Sequence, residues 1–199
     1  MKKIALITGA NRGIGLETAK EMKALGYEVI LTSRNADDGK RIAREIGVGY
    51  HQLDVISEES ISALTAYMET EYGQLDVLIN NAGILLDRTD KILDVPLEKM
   101  QTMFETNTYA PLMLIRALLP LMQKNGYGRI VNVSSQLGSL ANFSDYTPAY
   151  RLTKLALNGI TRMLADALKG TKILVNAVHP GWVQTDMGGA GAPLSLEEG

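Results

Sequence analysis

The length, composition and charge of the chain exclude several classes of protein. With 199 residues, 46% hydrophobic and 21% charged, we expect one globular domain over residues 1–199 with a sizeable core. A formal net charge of −2 gives no reason to expect nucleic acid as a partner. The absence of cysteine excludes disulfides, thiolate catalysis and cysteine-ligated zinc.

Neither the N-terminus nor the most apolar stretch predicts targeting to a membrane. Lys2 and Lys3 precede an apolar run, residues 4–7, that is too short for a secretory signal. The stretch 109–122 is interrupted by Arg116 and two prolines and is too short to span a bilayer. We therefore expect a cytoplasmic protein with no membrane partner.

Strand and helix patterns alternate along the whole chain. Short apolar or β-rich runs predict strands at residues 4–7, 29–32, 50–53, 77–79, 129–133 and 172–178. Apolar spacing and end signals predict helices between them, at residues 14–25, 37–46, 57–72, 97–123 and 147–168. Most of the strands are continuously apolar, which is typical of parallel strands covered on both faces. The sequence therefore predicts an α/β fold with a doubly wound parallel sheet of the Rossmann type.

The first strand ends in a glycine-rich turn that a helix follows directly. The segment reads Thr8-Gly9-Ala10-Asn11-Arg12-Gly13-Ile14-Gly15. Glycines allow the backbone to turn sharply and to approach a phosphate, and the start of the next helix offers free N–H groups to an anion. We interpret it as a nucleotide site rather than a simple turn, although its Gly-x-x-x-Gly-x-Gly spacing departs from the usual Gly-x-Gly-x-x-Gly fingerprint.

That spacing resembles the signature of short-chain dehydrogenases/reductases, and four further motifs match this family in order over essentially the whole chain. They are Asp54-Val55, Asn80-Asn81-Ala82-Gly83, Tyr150-Arg151-Leu152-Thr153-Lys154 and Pro180-Gly181-Trp182-Val183-Gln184-Thr185. The resemblance implies a dinucleotide site, with Asp54 at the adenine. Its residues would be Gly9, Asn11, Arg12, Gly13, Ile14, Gly15, Asp54, Val55, Asn81, Ala82, Gly83, Tyr150, Lys154, Pro180, Gly181, Val183 and Thr185.

The same resemblance implies a catalytic tetrad of Asn107, Ser135, Tyr150 and Lys154. Tyr150 and Lys154 are four residues apart and share one face of a helix. We expect the Lys154 ammonium and a cationic nicotinamide ring to lower the phenol pKa from its usual value near 10. Tyr150 would then protonate a carbonyl oxygen as hydride reaches the carbon, while Ser135 orients that oxygen. Asn107 would help to hold a water linked to Lys154.

The end of the second strand bears on the choice of cofactor. An NAD site usually has an acidic residue there, which binds the ribose hydroxyls. This strand instead ends in Ser33 and Arg34, and Arg34, assisted by Arg12, would suit the 2′-phosphate of NADP(H). The alternative is that Arg12 and Arg34 are solvated surface charges.

The loop after Ser135 indicates where the substrate pocket departs from the family pattern. Ser135 lies fifteen residues before Tyr150, slightly farther than the family spacing, which indicates a small insertion. The segment 179–187 is most similar to the carbonyl-reductase branch of the family. Position along the chain suggests as pocket residues Leu85, Gln136, Phe143, Tyr146, Trp182 and Met187.

Helix 97–123 carries two further expectations. Pro111 lies four residues after Asn107 and has no N–H for the Asn107 carbonyl, so we expect a kink near Asn107 unless the helix begins near Pro111. Residues 109–122 are apolar nearly all round. We therefore expect a homo-oligomer that packs through this helix, unless the chain's own loops cover it.

These observations predict an NADP(H)-dependent oxidoreductase that interconverts a small-molecule carbonyl (a ketone, aldehyde or quinone) and an alcohol by hydride transfer. His51 and His179 have no partners at ligand spacing, so we expect no metal site. A nucleotide-sensing protein without turnover and a structural protein are the alternatives, and the complete tetrad favours the enzyme. Members of the family continue with a further helix and strand that this sequence does not show, so we expect either an incomplete sequence or a shortened form.

Overall fold

Six parallel strands form the centre of the computed structural model, which describes residues 2–199. They are β1 (Ile4–Ile7), β2 (Glu28–Ser33), β3 (Gly49–Gln52), β4 (Val77–Asn80), β5 (Gly128–Val133) and β6 (Ile173–Val178). Their order across the sheet is β3-β2-β1-β4-β5-β6, and every neighbouring pair is parallel. The strand order therefore reverses between β1 and β4, and the predicted doubly wound sheet is confirmed.

Six helices cover the two faces of this sheet. They are α1 (Gly13–Ala24), α2 (Ala36–Ile46), α3 (Glu58–Glu71), α4 (Leu97–Phe104), α5 (Ala110–Asn125) and α6 (Pro148–Ala167). Local sequence explains several of their ends. The Asn35 side chain accepts two N–H groups at the start of α2, Gly47 ends that helix with a left-handed φ of 66°, and Ser57 caps α3.

Side-chain alternation along the strands divides the apolar core into two layers. Leu6 of β1 faces a core that includes Leu64 of α3 and Leu114 of α5. The next residue, Ile7, faces the opposite core, which includes Ala19 of α1. Burial of each large aliphatic side chain stabilises the fold by about 1.5–3 kcal/mol. The two layers together hold the carboxyl ends of β1, β4 and β5 in a fixed arrangement.

The chain from α4 to α5 is one continuous helix with a local distortion. A π-helical turn at Glu105–Tyr109 joins the two segments, and within it the Ala110 N–H bonds to the Glu105 carbonyl. Pro111 lies in the first turn of α5. The expected distortion near Asn107 is therefore present as a π turn, and the helix does not begin at Pro111. Over residues 2–199, no helix is long and apolar enough to cross a membrane.

Candidate active site

A cleft of about 760 Å³ opens where β1, β4 and β5 end, at the point where the strand order reverses. The predicted tetrad residues Ser135, Tyr150 and Lys154 line this cleft, whereas Asn107 is fully buried behind it. All the residues predicted to bind a cofactor also line it: Gly9, Asn11, Arg12, Gly13, Ile14, Gly15, Ser33, Arg34, Asp54, Val55, Asn81, Ala82, Gly83, Tyr150, Lys154, Pro180, Gly181, Val183 and Thr185. The structure thus brings five motifs, distant along the chain, to one cleft.

The glycine-rich turn after β1 and the segment after β4 form one closely packed unit. The Thr8 hydroxyl accepts the N–H groups of Asn81 and Ala82, both at 3.0 Å. The Asn81 amide group in turn donates to the Thr8 carbonyl at 2.8 Å. Gly9 has a φ of +63°, and a Cβ there would lie 3.0 Å from the Ala82 Cα. Only glycine fits this position, which leaves the backbone of the turn open to the cleft.

Lys154 lies one helical turn after Tyr150 on α6 and is almost fully buried. Its ammonium group donates a hydrogen bond to the Val133 carbonyl oxygen at 2.8 Å and lies 5.6 Å from the centre of the Tyr150 ring. Burial lowers the pKa of Lys154 to about 8, because the charged form has lost most of its solvation. Lys154 therefore still carries its positive charge at neutral pH, and this buried charge lowers the stability of the fold.

The pKa of Tyr150 is raised by the protein itself, contrary to the expected lowering. Burial of the phenol is the largest cause, the Ser135 hydroxyl opposes it, and the negative charge of Asp87 adds to it. Loss of water around the phenol outweighs the hydrogen bond of the Ser135 hydroxyl. The protein therefore keeps Tyr150 protonated, which is the form that can donate a proton to a carbonyl oxygen.

The Asn107 side chain links the loop after β4 to α6. Its Oδ1 accepts the Ile84 N–H at 2.8 Å, and its Nδ2 donates to the Ile84 carbonyl at 2.9 Å and to the Thr153 hydroxyl at 3.2 Å. A Cβ at Gly83 would lie 3.2 Å from the Asn107 Oδ1. Because the side chain is already engaged, only the backbone carbonyl of Asn107 remains for the water implied by the family resemblance.

The two serines after β5 have different partners. Ser134 donates to the Asn158 Oδ1 at 2.7 Å, whereas the Ser135 hydroxyl accepts the Leu137 N–H at 3.1 Å beside Tyr150. The loop that follows contains two short 3₁₀ turns, at Gln136–Gly138 and Leu140–Asn142. Arg151, which is buried, donates to the carbonyl groups of Asn142 and Tyr146 and so holds this loop against α6.

The two arginines predicted to bind a 2′-phosphate differ in their surroundings. Arg34 is exposed and lines the cleft just beyond β2. Arg12 forms an ion pair with Asp186 at 2.5 Å, and both side chains are more than two-thirds exposed. Arg12 is therefore an exposed side chain that bridges the glycine-rich turn and the segment after Pro180 through its ion pair.

Four of the suggested substrate-pocket residues line the cleft, namely Leu85, Gln136, Trp182 and Met187, whereas Phe143 and Tyr146 lie outside it. The Met187 sulfur lies 4.0 Å from the Tyr150 hydroxyl. Sequence reasoning missed further cleft residues, among them Arg88, Leu137 and Leu196. Arg88 donates a hydrogen bond to the Met187 carbonyl, which ties the loop after β4 to the segment after β6.

Sequence reasoning also missed Asp87, a fully buried aspartate in the loop after β4. Its carboxylate accepts the N–H groups of Ala149 and Tyr150 at the start of α6. A residue that caps a helix usually lies just before it in the sequence, whereas Asp87 lies 62 residues before Ala149. No local signal in the sequence could have identified it.

Comparison with known proteins gives consistent results. A sequence model described as "short chain dehydrogenase" matches residues 3–192. The chain is 31% identical to (+)-neomenthol dehydrogenase of Arabidopsis thaliana, covering 99% of this chain and 88% of that protein. It is 33% identical to carbonyl reductase [NADPH] 1 of Mus musculus, covering 100% and 88%. The structure of NADPH-bound carbonyl reductase from chicken fatty liver superposes with a TM-score of 0.90 at 33% identity, covering 98% of this chain and 87% of that one.

Proposed function

The chain belongs to the short-chain dehydrogenase family, and from that premise we propose that it is an NADP(H)-dependent oxidoreductase that interconverts a carbonyl and an alcohol by hydride transfer. The observation that carries the proposal is the shared cleft: Ser135, Tyr150 and Lys154 line the same cavity as the glycine-rich turn. A nucleotide-binding turn alone would suit many proteins, whereas a partly buried, protonated tyrosine beside a lysine suits proton transfer.

The residues around the glycine-rich turn fit a dinucleotide. Gly9 has no room for a side chain, and the backbone that it leaves open lies at the start of α1, where N–H groups favour a phosphate. Ser33, Arg34 and Arg12 would hold the 2′-phosphate, and Asp54 and Val55 the adenine. When bound, NADPH supplies the hydride. The similar mouse carbonyl reductase is named for NADPH and the chicken enzyme has NADPH bound, which supports this choice.

The chain's own groups would handle the proton. Tyr150 donates its phenolic proton to the carbonyl oxygen during reduction and takes it back during oxidation. The Ser135 hydroxyl, beside the phenol, orients that oxygen. Lys154 keeps a positive charge near the phenolate that forms, and the hydrogen bond to Val133 fixes its ammonium group.

The substrate would be a small carbonyl compound with an apolar body. Leu85, Leu137, Trp182 and Met187 form apolar walls of the cleft, and Met187 lies next to the Tyr150 hydroxyl. Such walls give affinity through burial of apolar surface rather than through specific hydrogen bonds. This favours ketones, aldehydes or quinones over charged substrates.

The test is the oxidation of NADPH with a panel of aldehydes, ketones and quinones. We expect turnover with several apolar carbonyls, and a loss of about 10²–10⁴-fold in kcat for Tyr150→Phe. NADPH affinity, measured by fluorescence titration, should be nearly unchanged in Tyr150→Phe. NADPH binding without turnover of any carbonyl would instead support a sensor, and near-normal turnover of Tyr150→Phe would contradict the assigned proton donor.

A further inference from the structure

Asp87 lies outside every sequence motif, yet it makes direct contact with the backbone of the proposed proton donor. Its Oδ2 accepts the Ala149 N–H at 2.6 Å and the Tyr150 N–H at 3.2 Å. These N–H groups belong to the first turn of α6, where an α-helix has no internal acceptors for them. A carboxylate at this position also interacts favourably with the positive end of the helix dipole.

The residues just before α6 do not cap the helix themselves. Thr147, at the cap position, has a φ of +50°, and within residues 2–199 it is the one non-glycine residue with a positive φ. Its hydroxyl donates to the Tyr146 carbonyl and accepts no N–H from α6. A left-handed threonine is strained and persists only where its surroundings hold it. The two hydrogen bonds to Asp87 are such a restraint, and they set where α6 begins.

We propose that Asp87 is a positioning residue for the reaction: it fixes the backbone of Tyr150 so that the phenol faces the cleft beside Ser135. The catalytic part of this inference rests on the proposed function. The structural part, which concerns Tyr150 and the start of α6, does not.

Several charged groups lie near Tyr150. Lys154 and Arg151 of α6 are buried cations, and Asp87 is the buried acidic group. Lys154 lies on α6 itself, Arg88 follows Asp87 in the loop after β4, and Asp186 lines the cleft from the segment after β6. Ser135, which follows β5, is a neutral hydroxyl. Asp87 is fully buried, and across the described chain its Oδ1 has no hydrogen-bond partner and no cation pairs with it. Its charge is therefore poorly screened and acts on the phenol, whose pKa it raises.

Two substitutions separate the charge of Asp87 from its hydrogen bonds. Asp87→Asn keeps the shape and an oxygen that can accept both N–H groups, but it removes the charge. Asp87→Leu removes the acceptor as well. Asp90→Asn is the matched control, because Asp90 lies in the same loop, is partly exposed and pairs with Lys99 at 2.7 Å, away from the cleft.

The first measurement is the titration of the Tyr150 phenol in the free protein, by NMR of tyrosine labelled with carbon-13 at Cζ. The Tyr150 signal is assigned by its loss in Tyr150→Phe. We expect the midpoint to fall by about half a pH unit in Asp87→Asn and to stay in place in Asp90→Asn. The second measurement is kcat with the best carbonyl of the panel. We expect a loss of at least about tenfold in Asp87→Leu and of less than about threefold in Asp87→Asn, with NADPH affinity within about twofold.

An unchanged titration midpoint in Asp87→Asn would overturn the inference, since a purely structural cap would alter thermal stability alone. Wild-type kcat in a folded Asp87→Leu would overturn it as well. Should Asp87→Leu not fold, the titration of Asp87→Asn decides the matter. If the wild-type protein reduces no carbonyl, the proposed function fails, and the titration still shows whether Asp87 controls Tyr150.

Discussion

The Lys154 ammonium group donates a 2.8 Å hydrogen bond to the carbonyl oxygen of Val133, at the end of β5. This bond joins the helix that carries Tyr150 to the strand that leads to Ser135. The ammonium group is buried, and burial lowers its pKa to about 8. Its place beside Tyr150 therefore opposes folding while it serves the proposed chemistry.

We predict that Lys154→Met stabilises the protein and abolishes its activity. A fall in pKa from the ordinary 10.5 to about 8 corresponds to about 3 kcal/mol, from which the lost hydrogen bond to Val133 must be subtracted. We expect a gain of about 1–3 kcal/mol in the free energy of unfolding at pH 7, measured by urea denaturation. The gain should shrink as pH rises from about 8 towards 10.5, because the folded wild type then releases a proton that the unfolded chain still binds.

The control for this prediction is Lys20→Met on α1. Lys20 forms an exposed pair with Glu17, which contributes little to stability, so we expect a change within about 0.5 kcal/mol. If Lys154→Met is less stable than the wild type at pH 7, or if its gain in stability does not change with pH, then the Lys154 charge does not destabilise the wild-type protein.

The second prediction concerns the two arginines at the cofactor cleft. Arg34→Ala should weaken NADPH binding by about 10- to 150-fold and leave NADH binding nearly unchanged, because only NADPH has a 2′-phosphate for a charge-assisted hydrogen bond. Arg12→Ala should weaken NADPH binding less than Arg34→Ala, because Arg12 is already paired with Asp186. Fluorescence titration with both cofactors measures this. Asp186→Asn is the control, and it should bind NADPH at least as tightly as the wild type. Equal losses for NADPH and NADH in Arg34→Ala would mean that Arg34 does not bind the phosphate.

The alternation of strands and helices was enough to predict the sheet. An apolar run indicates a strand buried on both faces, and an amphipathic segment indicates a helix that covers the sheet. The motifs were enough to predict the lining of the cleft, because the carboxyl ends of parallel strands meet at one edge. Gly9 illustrates this: its conformation and its close approach to Ala82 follow from the turn in which it occurs.

What could not be predicted depends on contacts between distant segments. Asp87 caps a helix that begins 61 residues later, so no window along the chain contains both partners. The raised pKa of Tyr150 depends on how deeply packing buries the phenol. Tyr146 was expected in the substrate pocket, but Arg151 holds its carbonyl, and its ring lies under Lys91 instead.

The third prediction is association through the continuous helix of α4 and α5. Tyr109, Leu112, Arg116 and Pro120 follow one stripe of this helix, and all are exposed or half-buried. We expect sedimentation velocity at micromolar concentration to give at least twice the monomer mass. Leu112→Glu should shift the protein to monomer, because it replaces an apolar contact of this stripe with a charge that burial would desolvate, whereas Lys20→Glu on α1 should not. A wild type that sediments only as monomer would reject this prediction.

The last prediction links Pro111 to the proposed chemistry through the π turn. The Asn107 side chain is fully engaged with Ile84 and Thr153, so its backbone carbonyl is the group that remains for a water. In a regular α-helix that carbonyl would accept the N–H of residue 111, which proline lacks. Pro111→Ala supplies this N–H and allows the π turn to close into α-helix. We expect kcat to fall by at least about fivefold, equivalent to about 1 kcal/mol in activation free energy, with little change in NADPH affinity.

Pro120→Ala is the matched control, because Pro120 lies in the same helix, about two and a half turns after Pro111, and is exposed. It also gains an N–H, but the carbonyl it would bond belongs to Arg116, on the outer stripe. We expect its kcat to equal that of the wild type. A crystal structure of Pro111→Ala should show the residue 111 N–H bonded to the Asn107 carbonyl. If that bond forms and kcat is unchanged, the Asn107 carbonyl has no part in the reaction, and the π turn is a packing feature alone.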